Sequence, residues 1–201
     1  MRRIVMFNLV TADGRFAGTD GNLDWFVPDT EFDRTAAEMI QVFDTVVLGR
    51  ITYQLFERFW PGAATDPATS PDDRVIAHKL NDMTKLVFSR TLETVTWKNS
   101  RLLRDLVPGE IEARKQQLGG DMVVYGSGSI VQQLTEHDLI DEYQFVVNPV
   151  LLGKGRSLLD NARKTVKLEL IDTRTFASGN VLLRYARSSR PARRLPARST
   201  P

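Results

Sequence analysis

Short, continuous apolar runs recur along the chain, each ending in a turn rich in glycine, serine or arginine and followed by helical spacing of apolar positions. Residues 3–11 read as a buried strand that ends in the turn Ala12-Asp13-Gly14. A polar loop then passes Gly18, Gly21 and Asn22 to Trp25 and Pro28. Loops of this length are either lids over a site or plain surface connections. Thr30 or Asp29 can cap a helix that places Phe32, Ala36, Met39, Ile40 and Phe43 on one face, with Glu31 and Asp33 in its first turn. Residues 45–48 form a second strand, which runs into Gly49-Arg50-Ile51-Thr52-Tyr53 and a short helix. The segment from Pro61 to Asp73 reads as a surface insertion, residues 72–80 as helix, and residues 85–89 as a third strand running into Ser89-Arg90-Thr91. Residues 102–118 read as a mostly polar helix broken near Pro108 and Gly109.

The apolar run at Val123 enters Gly126-Ser127-Gly128-Ser129, after which Ile130, Val131 and Leu134 are spaced as one helical face. Further strands are expected at 142–147, 166–174 and 179–185. The hairpin-like linker 176–180 makes the last two antiparallel. The pattern as a whole predicts an α/β fold: a mixed, mostly parallel central sheet flanked by helices, with a C-terminal antiparallel hairpin.

Composition narrows the chemistry. With 201 residues and 42% hydrophobic content the chain can bury one substantial core, so residues 1–186 are read as a single domain. The absence of cysteine excludes disulfides and thiolate metal sites, and His78 and His137 are too far apart in sequence to point to a zinc centre, so no metal is expected. No apolar run approaches membrane-spanning length and the first residues enter a strand at once, which predicts a cytoplasmic protein. The net charge of +2 is misleading. Five of the 27 basic residues, from Arg187 to Arg198, sit in a proline- and serine-rich tail without acids, leaving 22 basic against 25 acidic residues in the body. Residues 187–201 are expected to be a disordered basic tail, and nucleic-acid binding is not expected.

Three strand-to-turn junctions carry anion-binding chemistry. Gly126 to Ser129 opens a helix whose free amides and positive dipole end favour a phosphate. Gly49, Arg50 and Thr52 offer close backbone approach, a forked cation and a hydroxyl at a second junction. Ser89, Arg90 and Thr91 form the third. Parallel strands bring their carboxyl ends to the same side, so the three clusters converge on one edge. A pyrophosphate-bearing ligand with one more phosphate would use them together. That description suits NADPH better than NADH, since arginines commonly receive the 2′-phosphate.

These stretches, with Thr11-Ala12-Asp13-Gly14, Asp24-Trp25, Val47 to Tyr53, Leu86 to Leu92, Asp141-Glu142-Tyr143 and Pro149 to Gly155, resemble the dihydrofolate-reductase-like family. Among its members the chain is most similar to the C-terminal reductase domain of bifunctional riboflavin-biosynthesis deaminase-reductases. The resemblance spans nearly all of residues 3–186. It implies NADPH held by Gly49, Arg50, Thr52, Ser89, Arg90, Thr91 and the turn Gly126, Ser127, Gly128, Ser129, with Thr11 and Ala12 near the nicotinamide. It also implies a homodimer. The chain departs from the family in Thr11-Ala12, where riboflavin-pathway reductases usually carry Ser-Leu, and in Tyr125-Gly126, where dihydrofolate reductases carry paired glycines. These departures leave the substrate open between a pterin-like heterocycle and a pyrimidine of the riboflavin-pathway type.

Hydride transfer to a C=N bond needs a proton at the adjacent heteroatom, which a half-buried carboxyl can deliver. Two acids compete. Asp33 matches the spacing of the substrate-binding acid of dihydrofolate reductases, but an acid in a first helical turn also simply favours the dipole. Asp13 matches the aspartate of the riboflavin-type motif, but Asp-Gly pairs also simply make turns. Trp25 and Phe32 are candidates to stack on a flat substrate, or are core. The expected activity is an NADPH-dependent reduction of a small heterocycle. The alternative is a nucleotide-binding sensor or scaffold that keeps the fold with little turnover.

Overall fold

A computed structural model of the protein describes residues 1–160 and 162–188. Its central sheet has eight strands: β1 (Ile4–Thr11), β3 (Phe43–Gly49), β4 (Thr84–Phe88), β5 (Ser100–Leu103), β6 (Asp121–Tyr125), β7 (Glu142–Asn148), β9 (Leu168–Thr175) and β10 (Val181–Arg187). They lie in the order β5-β4-β3-β6-β1-β7-β10-β9. Neighbours from β5 to β7 are parallel, and β10 alone runs against the strands on either side of it. A separate two-stranded ribbon joins β2 (Arg15–Ala17) to β8 (Arg156–Ser157).

The continuous apolar runs exist because both faces of the parallel region are covered. Successive residues of each strand enter opposite cores. Val5, Val46, Leu48, Val87 and Val123 pack on one side with Tyr53 and Leu80, from helices α2 (Arg50–Ala63) and α3 (Pro71–Asp82). Ile4, Met6, Val47, Leu86, Met122 and Val124 pack on the other with Ile111, Ile130, Val131 and Leu134, from α4 (Pro108–Lys115) and α5 (Gly128–Glu136). Helix α1 (Thr30–Met39) continues the first layer and packs Phe32 against Val146, Phe176 and Leu182.

Asp29, not Thr30, caps α1: its Oδ1 accepts from the Phe32 amide at 2.8 Å, and its Oδ2 accepts from the Ser178 amide at 3.0 Å. One carboxylate thus ties the start of α1 to the β9–β10 turn. The loop before it is also anchored, Val27 donating to Asn148 and accepting from Asn180.

Two expectations are corrected. The helix expected over 102–118 is a strand, β5, followed after a gap by the eight-residue α4. Ser100–Leu103 is too short to show a period, and its pairing with β4 at the sheet edge makes it a strand. The helix after Gly49 is not short; it runs 14 residues and carries Pro61 in its last turn, where the one N–H bond it removes falls at the helix end and the helix stops two residues later. The last strand reaches Arg187, whose guanidinium pairs with Asp138 at 3.1 Å. The tail's remaining arginines, Arg190 to Arg198, lie outside the described residues.

Candidate active site

Strands β4, β3, β6 and β1 are consecutive and parallel, so the turns after Phe88, Gly49 and Tyr125 open on the same edge. They border a cleft of about 860 Å³. Gly49, Arg50 and Thr52 line it from the start of α2, and Ser89, Arg90 and Thr91 from the end of β4. Ser127, Gly128 and Ser129 line it from the start of α5. The three clusters expected to bind an anion are therefore contiguous, with two helix N-termini facing one space.

Ser127 joins those helix starts. Its Oγ accepts from the Gly49 amide at 2.8 Å and lies 2.8 Å from Thr52 Oγ1. Its backbone is left-handed, with φ of 54°, as is that of Gly126 at 53°. A Cβ on Gly49 would stand 2.6 Å from Ser127 Oγ, so this approach of α2 to α5 requires glycine there.

The cations are less free than their spacing implied. Arg90 donates to Asp105 from Nε at 2.8 Å and from Nη2 at 2.5 Å. Arg50 reaches only Gln54, at 3.4 Å. The sequence reading missed Arg104 and Arg156, which also line the cleft. Arg104 is folded back onto the carbonyls of Ser89 and Leu92, and Arg156, on β8, has no side-chain partner among the described residues. Neither stands in a recognisable motif; the chain's return through the β2–β8 ribbon puts Arg156 there.

Phe16, Ile51, Thr52 and Arg156 also border a second, more enclosed cavity of about 340 Å³, so the two spaces adjoin. Its wall is aromatic, and successive rings touch in the series Phe26, Phe32, Phe7, Tyr125, Phe56 and Trp60, with centroids 5.6–6.4 Å apart. Asp33 lines this cavity from the first turn of α1. Its carboxyl has no hydrogen-bond or ion-pair partner among the described residues. Burial pushes its pKa up, and the nearby charges of Asp73, Asp29 and Asp72 push it the same way. Phe32 and Gly126 line the same cavity.

Asp13 is placed otherwise. It lines neither space and lies on the exposed turn after β1. Its carboxylate accepts from the Thr11 hydroxyl at 2.5 Å and from the amides of Leu152 and Gly153 at 3.1 and 2.7 Å. The Thr11 hydroxyl above all, with those amides, holds its pKa down to about 2. It is an anchor for the loop after β7. Thr11 and Ala12 also lie outside both spaces, Thr11 bonded to Asp13 and Arg15 and Ala12 to Val150. Trp25 is buried away from both, its Nε1 without a partner among the described residues. Among the described residues no three His, Asp or Glu side chains gather where they could hold a metal ion.

Comparison with known proteins agrees with this architecture. An uncharacterized protein, YyaP, of Bacillus subtilis (strain 168) is 30% identical over 184 residues, covering 92% of this chain and 94% of its own. A putative riboflavin biosynthesis protein from Shewanella sp. PV-4 superposes with a TM-score of 0.68 at 22% identity, over 92% of this chain and 99% of its own. A dihydrofolate reductase from Enterococcus faecalis, complexed with NADP(H) and RAB-propyl, superposes with a TM-score of 0.57 at 16% identity, over 93% of this chain and 97% of its own. The fold is thus dihydrofolate-reductase-like. The RibD C-terminal domain model matches residues 2–182, and the chain belongs to that family.

Proposed function

We propose that the protein is an NADPH-dependent reductase of a small ring compound, the cleft holding the dinucleotide and the adjoining aromatic cavity the substrate. The observation that carries this reading is the juncture itself: a polar cleft faced by two helix N-termini opens, across Ile51 and Thr52, into an apolar cavity with an unpartnered carboxyl. The donor set suits the group. The unpaired first-turn amides of α2 and α5 match a pyrophosphate, and Arg50, with Arg90 and Arg104 able to exchange their present partners, matches a further phosphate. NADPH, when bound, supplies the hydride.

The residues then divide the work. The aromatic wall orients a flat substrate and excludes water. Asp33, held protonated more readily than an ordinary carboxyl, gives its proton to the heteroatom of the C=N bond whose carbon receives the hydride, and regains one from solvent after release. Asp33, not Asp13, is the proposed proton donor, because only Asp33 lines the cavity. Its position also favours turnover over a sensor that only binds nucleotide.

Thermal unfolding with NADPH, NADP⁺ and NADH tests the cofactor. At about 100 times its dissociation constant a ligand adds about 2.7 kcal/mol of stability. A clear rise with the phosphorylated nucleotides and little with NADH is expected; no rise with any of them removes the basis of the proposal. The homodimer implied by the resemblance belongs to the same proposal, supported by the long edge strand β9, which exposes Leu170 and Ile171.

A further inference from the structure

The inner cavity is unlike a site for a phosphorylated sugar. The charged groups on its wall are two carboxylates, Asp33 and Asp73, and one guanidinium, Arg156, at the boundary with the outer cleft. A phosphoryl group placed inside would lose its hydration against a mostly apolar wall that offers one guanidinium at its boundary and otherwise two acids. The rest of the wall is apolar and continues past the mouth. Ile51 and Leu55, one turn apart on α2, line the cavity while 56% and 50% exposed. Apolar side chains at a cavity mouth mark where a ligand's own apolar surface would cover them.

Two further polar residues line the cavity without side-chain hydrogen-bond partners among the described residues. Asn8, on β1, is 4% exposed; its side chain makes no hydrogen bond, and its Oδ1 is fully buried. The pairing of β1 with β6 ends at Phe7, so Asn8 stands just past the end of that strand, where the sheet opens. The Tyr125 hydroxyl likewise has no hydrogen-bond partner among the described residues, and burial keeps the phenol protonated. A buried amide and a buried phenol left unpaired are costly unless a ligand satisfies them.

Resting on the reading of this cavity as the substrate site, we infer that it selects a neutral, unphosphorylated ring compound with extensive apolar surface, whose few polar atoms are met by Asp33, Asn8 and Tyr125. Asn8 offers its amide donors and Tyr125 a hydroxyl that donates or accepts, so the matching ligand carries a carbonyl beside an N–H, as a lactam does. Asn8 and Tyr125 are then specificity-determining residues, and a phosphoribosyl pyrimidine is disfavoured because the wall offers its phosphate only Arg156 among acids and apolar surface.

The test uses the full chain and two probes, 4-phenyl-2-quinolone as a neutral apolar lactam and uridine 5′-monophosphate as a phosphoribosyl pyrimidine. NADPH binding is measured first by calorimetry; the probes are then titrated into NADPH-saturated protein. The quinolone is expected to bind at least about 10-fold more tightly than the nucleotide. Asn8→Ala and Tyr125→Phe should each weaken it about 5-fold or more while NADPH affinity holds within about twofold. Equal or tighter binding of the nucleotide, binding of neither probe, or quinolone binding indifferent to both variants overturns the inference and leaves the reductase reading intact. If NADPH itself does not bind, the reductase reading falls, and the same ranking of probes on the free protein decides the selectivity of the cavity.

Discussion

Two aspartates separated by 20 positions illustrate how environment assigns chemistry to one side-chain type. Asp13 is surrounded by donors that favour its charge; Asp33 is surrounded by apolar surface and other acids that oppose it. Replacing Asp33 with Asn is expected to lower kcat for NADPH-dependent reduction about 100-fold or more, with NADPH affinity unchanged, in steady-state and binding assays. Stability should move the other way. A carboxyl whose folded pKa is raised contributes stability that is complete below its unfolded value and is lost as pH rises through the raised value. D33N should therefore melt above the wild type at pH 7, and the gap should close near about pH 3, where both carry a neutral group. A wild type that melts higher at pH 7 would count against an unpartnered Asp33.

Between elements, the contact of α2 with α5 controls the cleft. Gly49→Ala places a methyl group against Ser127 Oγ and is expected to cost about 1–3 kcal/mol by urea unfolding, with NADPH binding weakened more than 10-fold. The double variant G49A/S127G removes the obstructing side chain and relaxes the left-handed backbone at 127, so it should recover at least about half of that loss in stability. No recovery would show that the strain lies elsewhere. Elements such as β3 and β6 were legible because long apolar runs and glycine turns are local signals. β5 was not, since four residues at a sheet edge acquire their conformation from β4.

Across the whole molecule, helices cover both faces of the parallel region, whereas β9, an eight-residue edge strand, is largely exposed and among the described residues pairs only with β10. Such edges invite a second copy. Light scattering of the wild type is expected to give twice the 22.7 kDa chain mass, and Ile171→Lys to lower it toward the monomer. A wild type already monomeric at micromolar concentration would refute the dimer. A stable dimer unmoved by I171K would put its interface on another surface.

The order of runs and turns in the amino-acid sequence determined the α/β architecture, the terminal hairpin and the three strand-end turns at one sheet edge, because strand burial, turn chemistry and helix starts depend on residues close in the chain. It also brought Asp33 forward as the sharper candidate with Asp13 as its rival, but spacing alone did not decide between them. Only the tertiary structure separated them, because burial and hydrogen-bond partners come from elements far apart in sequence. Asp13 is matched by the amides of Leu152 and Gly153, about 140 residues away, whereas Asp33 is left facing a cavity. For the same reason Arg104, Arg156 and Asn8 had no signal in the sequence, and Tyr125 stood out only as a departure from paired glycines. Each gains its role from the packing that surrounds it, and Arg90 was reassigned by Asp105, a partner supplied from beyond β5.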